Sequence, residues 1–254
     1  MAAFSIAQWR AGGLLLFLLG LLGGGCEVLG FPEWHWRQKL TVGVASPTGP
    51  RSASSVLAVQ CGSSPKWVPG AGAGGLGCQV QGEAVALELA PGQVLFALLT
   101  PAPGATNYPD KVAYHVFFPD RTLTTVEERG EQLERHIRGE VRELPRQQYP
   151  LLVTFTDLTD PTTVKVVDPD NLAATFGPGI ELKCLTLEIT DEPVTEGKIE
   201  SVLGWFFEVD SLTPRDKQPR FLKDQTPEQR VSLLDFMDWK TFGEKRKKVH
   251  RKDQ

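Results

Sequence analysis

At 254 residues the chain can bury one sizeable core or two modest ones, and 41% hydrophobic with 23% charged residues is ordinary for a globular protein. The net charge of −4 is unevenly placed: residues 245–254 sum to +5 and residues 1–244 to −9. The body therefore argues against nucleic acid as a partner, while the tail can meet an anionic one.

Arg10 precedes an uncharged run, Ala11 to Cys26, with a leucine-rich centre from Leu14 to Leu22, and Glu27 ends it. This is short of the about 20 residues a spanning helix wants. It suits a signal-peptide core of roughly 7–15 residues. The run closes in Leu22-Gly23-Gly24-Gly25-Cys26, which resembles the lipobox of bacterial lipoproteins. That resemblance implies cleavage before Cys26 and lipidation of its thiol. Gly23 departs from it, standing where the family usually has a bulky aliphatic residue. Residues 1–26 are thus expected to be a signal peptide or membrane anchor, with the body on the periplasmic side of a bacterial membrane. The alternative is an uncleaved helix, with Phe31, Trp34 and Trp36 as an interfacial belt and the basic tail in the cytoplasm.

Residues 28–38 read as an exit linker. From Lys39, Leu40, Val42 and Val44 alternate with Thr41, Gly43 and Ala45 as a half-buried strand. Ser54 to Gln60, Gln79 to Leu89 and Gln93 to Leu99 follow as strands, punctuated by glycine and proline. Cys61 and Cys78 flank a Gly/Ser/Pro-rich excursion and could close a disulfide across it in an oxidising compartment, or stay as thiols. Cys184 reads as a core residue in mid-strand. Strand, turn, strand and then "GEAVALELAPGQVLFALL" is similar to the transthyretin-like or carboxypeptidase-regulatory β-sandwich modules. This resemblance, over about sixty residues, implies a non-catalytic module over 39–100.

Pro101 to Asp110 has linker composition and places a domain boundary. Lys111 to Phe118 is apolar, strand or helix. Thr125 to Leu144 predicts a long helix opened by the capping box Thr125-Val126-Glu127-Glu128, with Gly130 weakening it by about 1 kcal/mol relative to alanine. Leu151–Thr156, Thr163–Val167 and Ile180–Ile189 read as strands. Asp168-Pro169-Asp170-Asn171 opens a short helix that Gly177-Pro178-Gly179 closes. Ile199, Val202, Leu203 and Phe206 fall at helical spacing. Residues 105–209 are therefore expected to form a compact α+β domain.

After Phe207 the residues turn polar. Residues 210–254 read as a flexible tail with a short amphipathic helix, started by Thr226-Pro227-Glu228-Gln229. Trp239, Phe242, Lys245, Arg246, Lys247 and Lys248 are the candidate contacts to a partner. The basic run is either a solvated tail or a contact for anionic lipid, cell-wall polymer or an acidic patch on the body.

The central stretch is also similar to an uncharacterised family of small bacterial envelope proteins. The residues that carry this include "HWRQKLTV" near Trp36, Leu152-Val153-Thr154-Phe155 with Asp157-Leu158 and Asp160-Pro161, Val167-Asp168-Pro169, Phe176-Gly177-Pro178-Gly179, Ile189-Thr190 with Pro193-Val194-Thr195, and Leu203-Gly204-Trp205. The resemblance implies export and a shared fold, and no activity.

Chemistry is sparse. His35 and His250 fall in linker and tail, His136 on the long helix among charges, and His115 in an apolar run. No nucleophile–base, zinc-ligand or phosphate-loop pattern is present, and no cofactor, metal or catalytic residue is expected. Asp157, Asp160, Asp168, Asp170, Asp191 and Glu192 could in principle hold a cation or serve a carboxylate-dependent hydrolase. Turn formation and helix capping account for Asp160-Pro161 and Asp168-Pro169. The expected fold is α+β: a small N-terminal antiparallel β-sandwich-like module, a compact α+β domain, and a mobile C-terminal helix with a basic tail. The expected role is a lipid-anchored binding or structural accessory for an envelope protein partner.

Overall fold

Period-two alternation begins upstream of Lys39. In the computed structural model, which describes residues 32–63, 76–106, 108–120, 125–135, 137–207 and 231–252, strand β1 is Glu33–Ala45. Its even-numbered residues from Trp34 to Val44 are buried and its odd-numbered ones are exposed or half-buried. The expected linker 28–38 is thus strand from Glu33 onward, because its tryptophans fall on the covered face.

The other strands are β2 Arg51–Ser63, β3 Leu76–Gln81, β4 Val85–Ala90, β5 Gln93–Pro101, β6 Val141–Glu143, β7 Pro150–Phe155, β8 Val164–Val166 and β9 Glu181–Thr190. The helices are α1 Val112–Val116, α2 Val126–Arg135, α3 Ala173–Phe176, α4 Lys198–Val202, α5 Leu233–Phe236 and α6 Trp239–Lys252. One sheet runs β3-β2-β1-β9-β6 and the other β4-β5-β7-β8. The pairs β1/β9, β6/β9, β4/β5, β5/β7 and β7/β8 are antiparallel. The chain is therefore mostly antiparallel sheet with a few short helices.

Two compact units divide it: Met1–Glu33 with Gly62–Gly77, and Trp34–Cys61 with Cys78–Gln254. In the first, the Ser63 N–H donates to the Pro32 carbonyl at 3.2 Å.

Three sequence expectations change. The strand expected over Gln79–Leu89 breaks at Gly82, whose φ of 135° favours glycine, so that β3 and β4 lie in different sheets. The long helix ends at Arg135, and Gly139 (φ 76°) turns the chain so that Val141 pairs with Glu188 as β6. Strands from both sides of the expected boundary at 101–110 share both sheets: β1 pairs with β9, and β5 with β7. No boundary at that segment separates the two sheets.

Other local expectations meet their physical causes. Thr125 Oγ1 accepts the Glu128 N–H and Glu128 Oε2 accepts the Thr125 N–H, a reciprocal cap on α2. Asp168 Oδ1 holds the Asp170 N–H in a turn, and Asn171 Oδ1 takes the Ala174 N–H, so the acceptor side chain at α3 is Asn171. Gly177 ends α3 at φ 103°.

Alternate residues of β5 (Val94, Phe96, Leu98) and β7 (Leu151, Val153, Phe155) enter a core with Ile199, Phe206, Phe236 and Phe242. Its rings meet mostly edge to face, Phe96 with Phe155 at 5.7 Å and Phe206 with Phe242 at 5.8 Å. Residues 231–242, expected within a flexible tail, thus complete this core: Val231, Leu233, Phe236, Met237 and Phe242 are all buried. The Ala84 N–H donates to the Phe236 carbonyl, tying this segment to the start of β4. The helix start expected at Thr226 lies outside the described residues; α5 is capped by Ser232, whose side chain shares a capping box with Asp235.

Candidate binding cleft

The outward positions of β1 are set by its alternation. With Trp34 and Trp36 committed inward, His35 and Arg37 face the other way, and Arg37 stands opposite Thr190 in the β1/β9 register. The end of β9 then delivers Asp191, the end of α2 delivers Glu134, and the turn before β6 delivers Arg138. These residues line a cleft of about 380 Å³ together with Gln60 of β2, Gln79 and Gln81 of β3, and Lys240 of α6.

Asp191 is held from two sides. Arg138 Nη1 lies 3.0 Å from Asp191 Oδ2, and Arg37 Nη2 lies 3.9 Å from Asp191 Oδ1. Arg138 also donates through Nη2 to the Glu134 carbonyl at 3.4 Å, and Glu134 Oε1 accepts the His35 backbone N–H at 3.1 Å. Just beyond, Lys39 Nζ lies 3.0 Å from Glu188 and beside Glu192. Hydrogen bonds to Glu192 and then Glu188 raise the Lys39 amine above its ordinary value, so it stays charged.

The lining combines three cationic side chains, two carboxylates and three primary amides, each amide able both to donate and to accept. Such a surface is polar and rich in hydrogen-bonding groups. Among the described lining residues Thr190 carries the one hydroxyl, and it accepts the Glu192 N–H at 3.2 Å.

The other carboxylates are occupied locally. Asp157 Oδ1 takes the Thr159 N–H and hydroxyl, which lowers its pKa. Asp160 Oδ1 takes the N–H and hydroxyl of Thr162. Asp170 pairs with Arg146 at 2.7 Å. Among the described residues, no three His, Cys, Asp or Glu side chains gather as a metal site.

Cys61 of β2 and Cys78 of β3 are joined, with an S–S distance of 1.99 Å and Cα atoms 4.1 Å apart. Cys184 is only half-buried, unlike the core residue expected; it sits across from Gly43, where an added Cβ would meet its Sγ at 2.7 Å. Cys26 lies outside the described residues, as do the side chains of Trp239, Arg246 and Lys248. Phe242 is 1% exposed, so it belongs to the core and offers no contact to a partner. Lys245 Nζ pairs with Glu200 at 3.1 Å, and Lys247 is exposed. No described helix is long and apolar enough to cross a membrane.

Asp191 and His35 read in the sequence as parts of other features, and Arg37, Gln60, Gln79, Gln81, Arg138 and Lys240 share no motif that marks them as neighbours. The alternation of β1, followed upstream to Trp34, was the available signal. No family model, no curated protein and no solved structure matches this chain.

Proposed function

We propose that the chain is an exported, lipid-anchored envelope protein whose sandwich-like body binds a polar partner through the cleft, without catalysis. The observation that carries this reading is the Cys61–Cys78 bond, which staples β2 to β3 at the root of the Gly/Pro-rich excursion. Such bonds persist in oxidising compartments and are rare where thiols are kept reduced. It agrees with an amino terminus that has the charge, core and closing cysteine of a lipoprotein leader. Lipid on Cys26 would hold the body at the membrane, leaving Arg37, Arg138 and the glutamine row to meet an envelope protein.

Radiolabelled palmitate should enter the wild-type chain and not Cys26→Ala. Recovery of a cytoplasmic protein with Met1 attached and both cysteines reduced would end the proposal. For the cleft, Arg138→Ala should lose a co-purifying envelope partner while leaving the palmitate label intact.

A further inference from the structure

The last helix has two halves with different tasks. At its start, Asp238 Oδ1 accepts the N–H groups of Lys240 and Thr241, while Asp238 Oδ2 takes the N–H of Gly82. Phe242 then inserts between Phe206 and Phe207, at 5.8 and 5.5 Å. Lys245, 15% exposed at its side chain, pairs with Glu200. This first half is fixed to the body.

The helical backbone continues to Lys252. Residues 246–252 span about 10 Å at 1.5 Å per residue. Five of the seven are basic: Arg246, Lys247, Lys248, Arg251 and Lys252. Cations suit the negative end of a helix dipole, so the charge favours the helix. Lys240, Glu244 and Lys247 are exposed while Thr241 and Phe242 are buried, so one stripe of α6 faces water.

We infer that residues 246–252 of α6 dock on an anionic phospholipid surface, as a second attachment beside the amino-terminal one. The inference rests on the exported, membrane-held reading for the leaflet that the helix meets. A run of four to eight basic residues on one helix is the pattern that anionic headgroups attract. The charge is concentrated here while the remainder of the chain is acidic, so it serves a local contact. Residues 243–254 include no Phe, Tyr or Trp, and so offer none of the stacking platforms by which single-stranded nucleic acid is gripped. A single acyl chain gives only marginal, reversible binding, and a polybasic patch is one way to make attachment stable.

The test uses the full chain with vesicles of phosphatidylcholine alone or mixed with phosphatidylglycerol. Neutral vesicles report the amino-terminal attachment. The mixed vesicles should bind more tightly, and high salt should abolish that increment. Each basic residue removed should weaken the increment about fivefold, so K247Q/K248Q/R251Q/K252Q should lose it by several hundredfold. K247R/K248R/K252R should keep it, and circular dichroism of each variant should match the wild type. Equal binding to both vesicle types, or equal binding by wild type and the glutamine variant, would overturn the inference. So would displacement from vesicles by a double-stranded oligonucleotide at equal phosphate, which would assign the helix to nucleic acid. Palmitate labelling reads the export proposal separately. A labelled chain without lipid preference sinks this inference alone, and an unlabelled chain that prefers phosphatidylglycerol sinks the other.

Discussion

Gly130 of α2 lies flat on the indole of Trp34: a Cβ added there would sit 2.3 Å from Cδ2 of the ring. Glycine costs a helix interior about 1 kcal/mol relative to alanine, and here that cost admits the close approach of α2 to β1. Gly130→Ala should therefore destabilise the fold despite its better propensity. The buried indole has nowhere to go, and overpacking costs about 1–3 kcal/mol. A lowered urea midpoint with an unchanged slope is the expected result; a raised midpoint would show that α2 shifts freely on the tryptophan.

Glu83, 1% exposed, accepts the N–H groups of Lys198 at 2.7 Å and Ile199 at 3.3 Å. Burial raises its pKa above the ordinary value of 4.5, against the pull of those N–H groups and of Lys245. The folded state then holds a proton that the unfolded state has released, over the window between the ordinary and the raised pKa. Its contribution is present below the unfolded pKa and lost as pH rises through the folded one. Urea melts from about pH 4 to 8 should show this downward component in the wild type and not in Glu83→Gln. Glu83→Ala, which leaves two N–H groups without their acceptor, should cost about 1–2 kcal/mol near neutrality.

The Cys61–Cys78 bond closes a loop of 17 positions. Restricting an unfolded loop of about that length stabilises the native state by roughly 3 kcal/mol in the chain-entropy account. The double replacement of both cysteines by alanine should lower the unfolding free energy by that order, and dithiothreitol should bring the wild type to the same midpoint while leaving the variant unmoved.

Phe242→Ala empties a site between Phe206 and Phe207 and should cost about 3–5 kcal/mol. Because the same ring fixes the first half of α6, hydrogen exchange at residues 239–245 should rise more than that at β5. Uniform exchange across the fold would contradict the anchoring role.

Asp191 and Arg138 present a contrast. Their side chains are 60% and 57% exposed, and exposed pairs contribute about 0–1 kcal/mol. Asp191→Asn should leave the melting temperature nearly unchanged while altering partner capture. A large loss of stability would make the cleft a structural joint.

The folded centre was legible because its signals are local. The capping pair Thr125–Glu128, the terminator Gly177 and the alternation through Leu187 each need only a few neighbouring residues. What escaped depends on distant partners. Val141–Glu143 continues a helical pattern until β9 offers it a ladder, and Gly82 lies within one apolar alternation until two sheets claim its two sides. Phe236 and Phe242 read as a mobile amphipathic segment because their cavity is built from Phe96, Phe155 and Phe206, well over a hundred residues away in the first case. The cleft was invisible for the same reason: Arg37, Arg138 and Gln79 share no motif, only a strand register and the turn before β6.

The pairing of β1 with β9 brings Leu40 beside Leu187. Synthesis must therefore reach β9 before the sheet β3-β2-β1-β9-β6 can be completed, and until then β1 has only β2 at its side. Closing so long a loop is entropically slow. A nascent chain with this connectivity keeps one flank of β1 without its strand until β9 emerges.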